Sequence, residues 1–84
     1  MFTIIPGPQA RKFLRTAETG LRERIINKLR GLSADSEPRG AIKVIGEGNV
    51  YRIRVGDYRI LYEIYRTEKK IILVKIDKRS RVYD

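Results

Sequence analysis

With 84 residues, the chain has room for one domain with a single modest core, and we predict that this domain spans residues 1–84. The sequence contains no cysteine and no histidine, which excludes disulfide frameworks, thiolate metal sites and imidazole-based catalysis. The formal net charge is +9, from 19 basic and 10 acidic residues, and it indicates a polyanion or an acidic protein as the partner.

The charge and the apolar pattern also bear on where the protein acts. No signal-like or membrane-length apolar run follows Met1, so we expect a cytoplasmic protein with no membrane partner. Self-repulsion of the positive charge predicts a monomer when the protein is free. We expect no cofactor and no bound metal.

The first half of the chain predicts one strand and two helices. The β-prone residues 2–5 are followed by Pro6 and Gly7, and Pro8 suits the first turn of a helix. Apolar residues then recur at helical spacing, and Gly20 is predicted to end the first helix. A second helix follows after a short connection, which favours an antiparallel helical hairpin. The apolar stripes are Ala10, Phe13, Leu14 and Ala17 in the first helix, and Leu21, Ile25, Leu29 and Leu32 in the second.

The second half predicts strands. Residues 33–40 are polar and read as the loop in which the helical part ends. Residues 41–45 predict a strand that reaches a glycine-rich turn at residues 46–49. Residues 70–76 are strongly β-branched and are predicted to form a central strand buried on much of both faces. This order predicts an α+β fold, in which an N-terminal strand and a helical hairpin pack on a mostly antiparallel sheet of four to five strands.

Residues 50–62 predict a β-hairpin with a two-residue turn of the II′ type at residues 56–57. This register places Arg54 opposite Arg59, and Arg52 on the same face. Like charges directly opposite each other destabilise a sheet by a few tenths to about 1 kcal/mol. An external anion would offset this cost, or the arginines are an ordinary solvated face. The other face is predicted to carry Tyr51, Ile53, Val55, Tyr58, Ile60 and Tyr62 as packing residues.

Most catalytic templates are missing from this sequence. The carboxylates lack the paired spacing of a two-metal nuclease, and we interpret them as surface groups. They are Asp57, Glu63, Asp77 and Asp84. Arginine, lysine and tyrosine can suffice for RNA cleavage, because RNA carries its own nucleophile in the 2′-hydroxyl group. Arginine stabilises charge on phosphate but is a poor proton acceptor, since it stays protonated.

Tyr83 is the tyrosine with the most cationic surroundings in the sequence. It follows Arg79 and Arg81, whose charges would favour its ionised form and so make it a potential base. It could equally stack on an RNA base, or serve only as an anchor for the C-terminal segment.

Two segments resemble the RelE toxins of the RelE/ParE superfamily of toxin–antitoxin modules. They are residues 51–64, YRIRVGDYRILYEI, and the ending KRSRVY at residues 78–83. The similarity covers nearly the whole chain, and the ending favours the RelE branch over ParE. The resemblance implies a ribosome-dependent endoribonuclease that cuts mRNA in the A site by 2′-hydroxyl attack without a metal. It also implies contact with ribosomal RNA, inhibition by a RelB-like antitoxin, and binding of operator DNA only through the complex with that antitoxin.

The resemblance also implies residue roles. Arg52 and Arg54 match strand residues proposed to act in proton transfer and phosphate binding, and Arg59 matches a phosphate-holding arginine. Arg79 matches the residue that stabilises charge and assists the leaving group, and Tyr83 matches the tyrosine that stacks on the mRNA base. The family usually has lysine in the strand where this chain has arginine, which leaves the proton-transfer group open. Secondary RNA contacts are expected from Lys43, Lys78 and Arg81.

Two other functions fit the same sequence. A ParE-like protein would inhibit DNA gyrase and have no nuclease activity. A non-catalytic basic module would bind RNA with a steep salt dependence.

Overall fold

The computed structural model describes residues 1–78, which form two helices and one five-stranded sheet. In chain order the elements are β1 (Thr3–Pro6), α1 (Pro8–Thr16), α2 (Thr19–Ala34), β2 (Ile42–Lys43), β3 (Val50–Val55), β4 (Tyr58–Tyr65) and β5 (Lys70–Lys78). The strands lie in the order β1-β5-β4-β3-β2; β1 is parallel to β5, and all other neighbours are antiparallel. The predicted α+β fold is confirmed.

Both helices pack on one face of the sheet and form the core with it. Ile60 and Tyr62 of β4 are fully buried there, as are Ile25 and Leu32 of α2 and Ala10 of α1. The opposite face of the sheet therefore has no helix against it in the described part of the chain. Neither helix within residues 1–78 is long and apolar enough to span a bilayer.

The boundary between the helices differs from the prediction. Ala17 is extended (φ −69°, ψ 149°), and α1 already ends at Thr16. Gly20 lies in the first turn of α2, so the prediction that it ends the first helix was wrong. The Arg22 guanidinium group explains the early end, because Nε and Nη2 donate hydrogen bonds of 2.8 Å to the carbonyls of Leu14 and Ala17. These donors satisfy carbonyl groups that a helix end leaves without partners.

Helix α2 is longer than predicted, and β2 is shorter. α2 continues through Ala34 into the predicted loop, and β2 covers only Ile42–Lys43 of the predicted residues 41–45. Contact with the start of the chain holds the last turn of α2. The Ser33 hydroxyl donates to the Phe2 carbonyl at 2.6 Å, and the Ser33 carbonyl accepts from the Phe2 N–H at 2.8 Å.

The β3–β4 hairpin has the predicted register. Arg54 lies opposite Arg59, and Arg52 lies opposite Leu61. Gly56 has a φ of 60°, as the first central residue of a II′ turn requires. The short turn therefore sets the faces of both strands as expected.

A bulge in the β4–β5 ladder changes which β5 side chains face the core. Leu61 lies opposite Lys75, but the next residue of β4 lies opposite Leu73, so Val74 is the extra residue. Ile76 is fully buried after the bulge, whereas Val74 is 41% exposed. As predicted, β5 is an interior strand, paired with β1 on one side and β4 on the other. The prediction that it is buried on much of both faces was wrong, because only its core side is buried.

Gln9 of α1 ties the end of β5 to the helical layer. Its Nε2 donates to the Ile76 carbonyl at 2.8 Å, and its Oε1 accepts from the Ile76 N–H at 2.8 Å. β1 pairs with β5 only as far as Leu73. The Gln9 side-chain amide therefore makes the hydrogen bonds to the β5 backbone that a neighbouring strand would otherwise make.

The substitution Gln9→Leu is expected to lower the free energy of unfolding by about 1–3 kcal/mol, because the Ile76 N–H and carbonyl lose their partners. Denaturant unfolding measures the change. Lys12→Gln is the control, at an exposed site on the same helix, and it should stay within about 0.5 kcal/mol of the parent chain. Equal stability of Gln9→Leu and the parent chain would contradict the assigned role.

Candidate nucleic-acid interface

Three arginines lie on the sheet face opposite the helices, which we call the arginine face. Arg52 and Arg54 alternate along β3, and Arg59 of β4 lies directly opposite Arg54. Side chains two residues apart on one strand are about 6.5–7 Å apart, which is close to the spacing of phosphates along an extended polynucleotide. The three arginines can therefore contact a polynucleotide backbone at more than one phosphate.

The three arginines differ in exposure. Arg59 is 8% exposed, Arg52 is half-buried and Arg54 is exposed. A buried guanidinium group is screened less by water and salt than an exposed one, so Arg59 is the cation with the strongest local field. All three border one cavity of about 130 Å³, whose other lining residues are Gly40, Ile42 and Ile53.

Strand β5 adds a lysine and an aspartate to the arginine face. Lys75 lies opposite Leu61, and Asp77 lies directly opposite Arg59. Asp77 is half-exposed, and its Oδ1 accepts a hydrogen bond of 2.7 Å from the Lys78 N–H. The arginine face thus carries a carboxylate next to its most buried cation.

Residue counting along β5 alone does not predict this placement. Alternation from Leu73 would put Lys75 and Asp77 on the core side, but the bulge at Val74 reverses the faces beyond it. The signal that could have revealed the bulge is the charge itself, since a lysine and an aspartate are unfavourable in a core.

The secondary RNA-contact residues within residues 1–78 lie on the other side of the sheet. Lys43 is exposed on the edge strand β2 opposite Tyr51, and Lys78 is exposed at the end of β5 opposite Tyr58. Both tyrosines pack against the core. Neither lysine therefore shares the arginine face. Arg79, Arg81 and Tyr83 lie outside the described residues.

Two tyrosine hydroxyls have perturbed acidity. Burial, with a smaller effect from the negative charge of Glu37, raises the pKa of Tyr62. Tyr65 donates a hydrogen bond of 3.0 Å to Glu63, and this bond raises the pKa of Tyr65. Both hydroxyls stay protonated at neutral pH, so neither can act as a base.

An apolar groove of about 330 Å³ borders the other end of the arginine face. Its apolar lining comes from Val44, Val50, Leu61 and Val74, and Glu47 and Glu63 add negative charge. One sheet face is thus cationic at one end, and apolar with acidic residues at the other.

Several solved structures resemble this arrangement of elements. The RelE-RelB complex from Pyrococcus horikoshii OT3 is 28% identical over 96% of this chain and 98% of that chain, with a TM-score of 0.82. The RelB-RelE complex from Methanococcus jannaschii is 26% identical over 95% of both chains, with a TM-score of 0.74. The isolated E. coli RelE toxin is 19% identical over 98% of this chain and 88% of that chain, with a TM-score of 0.84. At this identity, the similarity shows only that the two chains share a fold.

Sequence comparison gives the family. No curated protein sequence matches the chain. The family model of the ParE toxin of the type II toxin–antitoxin system parDE matches residues 4–83. The chain therefore belongs to the ParE toxin family of type II toxin–antitoxin systems, within the RelE/ParE superfamily.

Proposed function

We propose that this toxin is a ribosome-dependent endoribonuclease that cleaves mRNA in the A site by attack of the 2′-hydroxyl group. The observation that carries the proposal is the arginine face, where Arg52, Arg54 and Arg59 border one cavity. Guanidinium groups bind phosphate oxygens in a bidentate manner and keep their charge at all relevant pH values.

The arginines would act mainly on the transition state. Attack of the 2′-oxygen adds negative charge to the phosphorus centre, and cations already fixed in place stabilise that charge without reorganising. Arg59 is the most fixed of the three, because it is 8% exposed, and Arg54 is accessible to an approaching strand. In residues 1–78 no three acidic side chains are placed to share a metal ion, and the proposed reaction is metal-independent.

The family resemblance assigns further roles to residues beyond 78. By the family resemblance, Arg79 stabilises charge and assists the leaving group, and Tyr83 stacks on the mRNA base. Lys43, Lys78 and Arg81 would make secondary contacts with RNA. These roles rest on the sequence.

The partners follow from charge and from the similar structures. The helices carry a second set of exposed cations away from the arginine face, as expected for a protein that contacts ribosomal RNA on more than one side in the cytoplasm. The similar archaeal structures are complexes with RelB, which supports a RelB-like antitoxin as a partner. By the family resemblance, operator DNA would be bound only through the complex with that antitoxin. The helix cations are Arg11, Lys12, Arg15, Arg24, Lys28 and Arg30.

Programmed ribosomes carrying an end-labelled mRNA test the proposal. The purified protein should cut the message in the A site and leave a 2′,3′-cyclic phosphate and a 5′-hydroxyl end. Arg79→Ala and Tyr83→Ala should each slow the cut. Intact mRNA with the parent protein would overturn the proposal.

Gyrase inhibition is the second candidate function, and the match to the ParE toxin family favours it. A ParE-like protein would block supercoiling by purified DNA gyrase and leave ribosome-bound mRNA intact. Running both assays on one preparation separates the two functions. Salt-sensitive RNA binding without either activity would indicate a non-catalytic module.

A further inference from the structure

We propose that Asp77 is the general base that takes the proton from the attacking 2′-hydroxyl group. This inference rests on the proposed nuclease function. It assigns the proton-transfer step to a carboxylate on β5 instead of to an arginine on β3.

The geometry places Asp77 where such a base is needed. It lies directly opposite Arg59 on the arginine face, and side chains in that relation have Cβ atoms about 4.5–5.5 Å apart. Its Oδ1 is held by the Lys78 N–H at 2.7 Å. Oδ2 makes no hydrogen bond within residues 1–78, so it can accept one from a sugar hydroxyl beside a phosphate held by Arg59.

The other groups on this face are placed less well for the role or cannot take it. The arginines stay protonated, and the chain has no histidine. Lys75 lies opposite Leu61, two residues along β4 from Arg59, whereas Asp77 lies directly opposite Arg59. Glu63 is the other strand carboxylate on the arginine face, but it lies four residues from Arg59 along β4, about 13 Å away, and accepts the Tyr65 hydroxyl. Of the strand carboxylates within residues 1–78, Asp77 is therefore the one directly opposite Arg59.

Oδ2 of Asp77 accepts the 2′-hydroxyl proton while the 2′-oxygen bonds to phosphorus and the bond from phosphorus to the 5′-oxygen breaks. The leaving 5′-oxygen takes a proton from solvent. The products are a 2′,3′-cyclic phosphate and a 5′-hydroxyl, and Asp77 then returns its proton to solvent.

The alternative role for Asp77 is to balance the charge of Arg59, and the two roles predict opposite effects of Asp77→Asn. Loss of a charge-balancing carboxylate leaves a more positive face, which should bind RNA more tightly and cleave it at least as fast. Loss of the base slows the chemical step even though the face becomes more positive. The sign of the change therefore separates the roles.

Single-turnover cleavage on programmed ribosomes, with the toxin varied up to saturation, measures both quantities. Asp77→Asn should reduce the saturated rate at least tenfold and leave the half-saturating concentration unchanged or lower. Asp77→Glu keeps a carboxylate displaced by one methylene and should be faster than Asp77→Asn. Glu68→Gln, in the exposed turn between β4 and β5, makes the same charge change far from the site and should match the parent protein.

Each outcome decides a separate question. If the parent protein cleaves and Asp77→Asn cleaves as fast, the inference is wrong and the proposed function stands. If Asp77→Asn and Asp77→Glu are equally slow while both keep the parent unfolding temperature, the carboxylate is not the base. If the parent protein itself leaves mRNA intact, the proposed function fails first.

Discussion

Arg59→Ala is expected to cleave ribosome-bound mRNA about 10²- to 10³-fold more slowly than the parent protein, the loss typical of removing one preorganised donor from a charged transition state. Arg59 is the most buried cation on the arginine face, so water and salt screen its charge least. The measurement is the single-turnover rate at saturating toxin. The half-saturating concentration should change less than the rate, because Arg52 and Arg54 still hold the backbone.

Two further variants locate the effect. Arg59→Lys keeps the charge but loses the planar fork, and it should fall between alanine and the parent protein. Arg15→Ala removes one of the helix cations, so it should raise the half-saturating concentration and leave the saturated rate unchanged. A parent-like rate for Arg59→Ala would show that the arginine face does not act in cleavage. Relief of the repulsion between Arg54 and Arg59 should keep the alanine variant folded, since such pairs cost a few tenths to about 1 kcal/mol.

Tyr62→Ala is expected to lower the free energy of unfolding by about 3–5 kcal/mol, as for other large aromatic residues removed from a core. Tyr62 is fully buried, and its ring stacks on Tyr51 with the centroids 5.9 Å apart. Domains of this size have little stability in reserve, so a large unfolded population should follow. Denaturant unfolding measures the loss. Tyr65→Ala is the control, because Tyr65 is only half-buried and its loss should cost far less.

The hydroxyl group of Tyr62 adds a pH dependence. It donates to the Ser36 carbonyl at 2.9 Å, and burial raises its pKa above the ordinary value of 10.0. A pKa raised in the folded state stabilises the fold fully below pH 10, and this stabilisation is lost as the pH rises further. Tyr62→Phe should lose about 0.5–1.5 kcal/mol at pH 7 and also lose this contribution to alkaline unfolding. An alkaline unfolding curve unchanged by the substitution would contradict the assignment.

Local chemistry determined the parts of this protein that the sequence predicted correctly. The two-residue turn at Gly56 permits one register, so the shared face of Arg52, Arg54 and Arg59 could be predicted from residue counting alone. The apolar stripes of both helices and the place of Pro8 at the start of α1 are local as well. The motifs at residues 51–64 and 78–83 identified the superfamily.

Only the tertiary structure decided where several side chains lie. The end of α1 depends on Arg22, which reaches back from the next helix to the Leu14 and Ala17 carbonyls. The side of the sheet that Asp77 faces depends on the bulge at Val74, which arises between two paired strands. Alternation is a property of one strand, whereas a bulge is a property of a pair. The sequence of β5 by itself therefore could not predict that the Asp77 carboxylate lies beside Arg59.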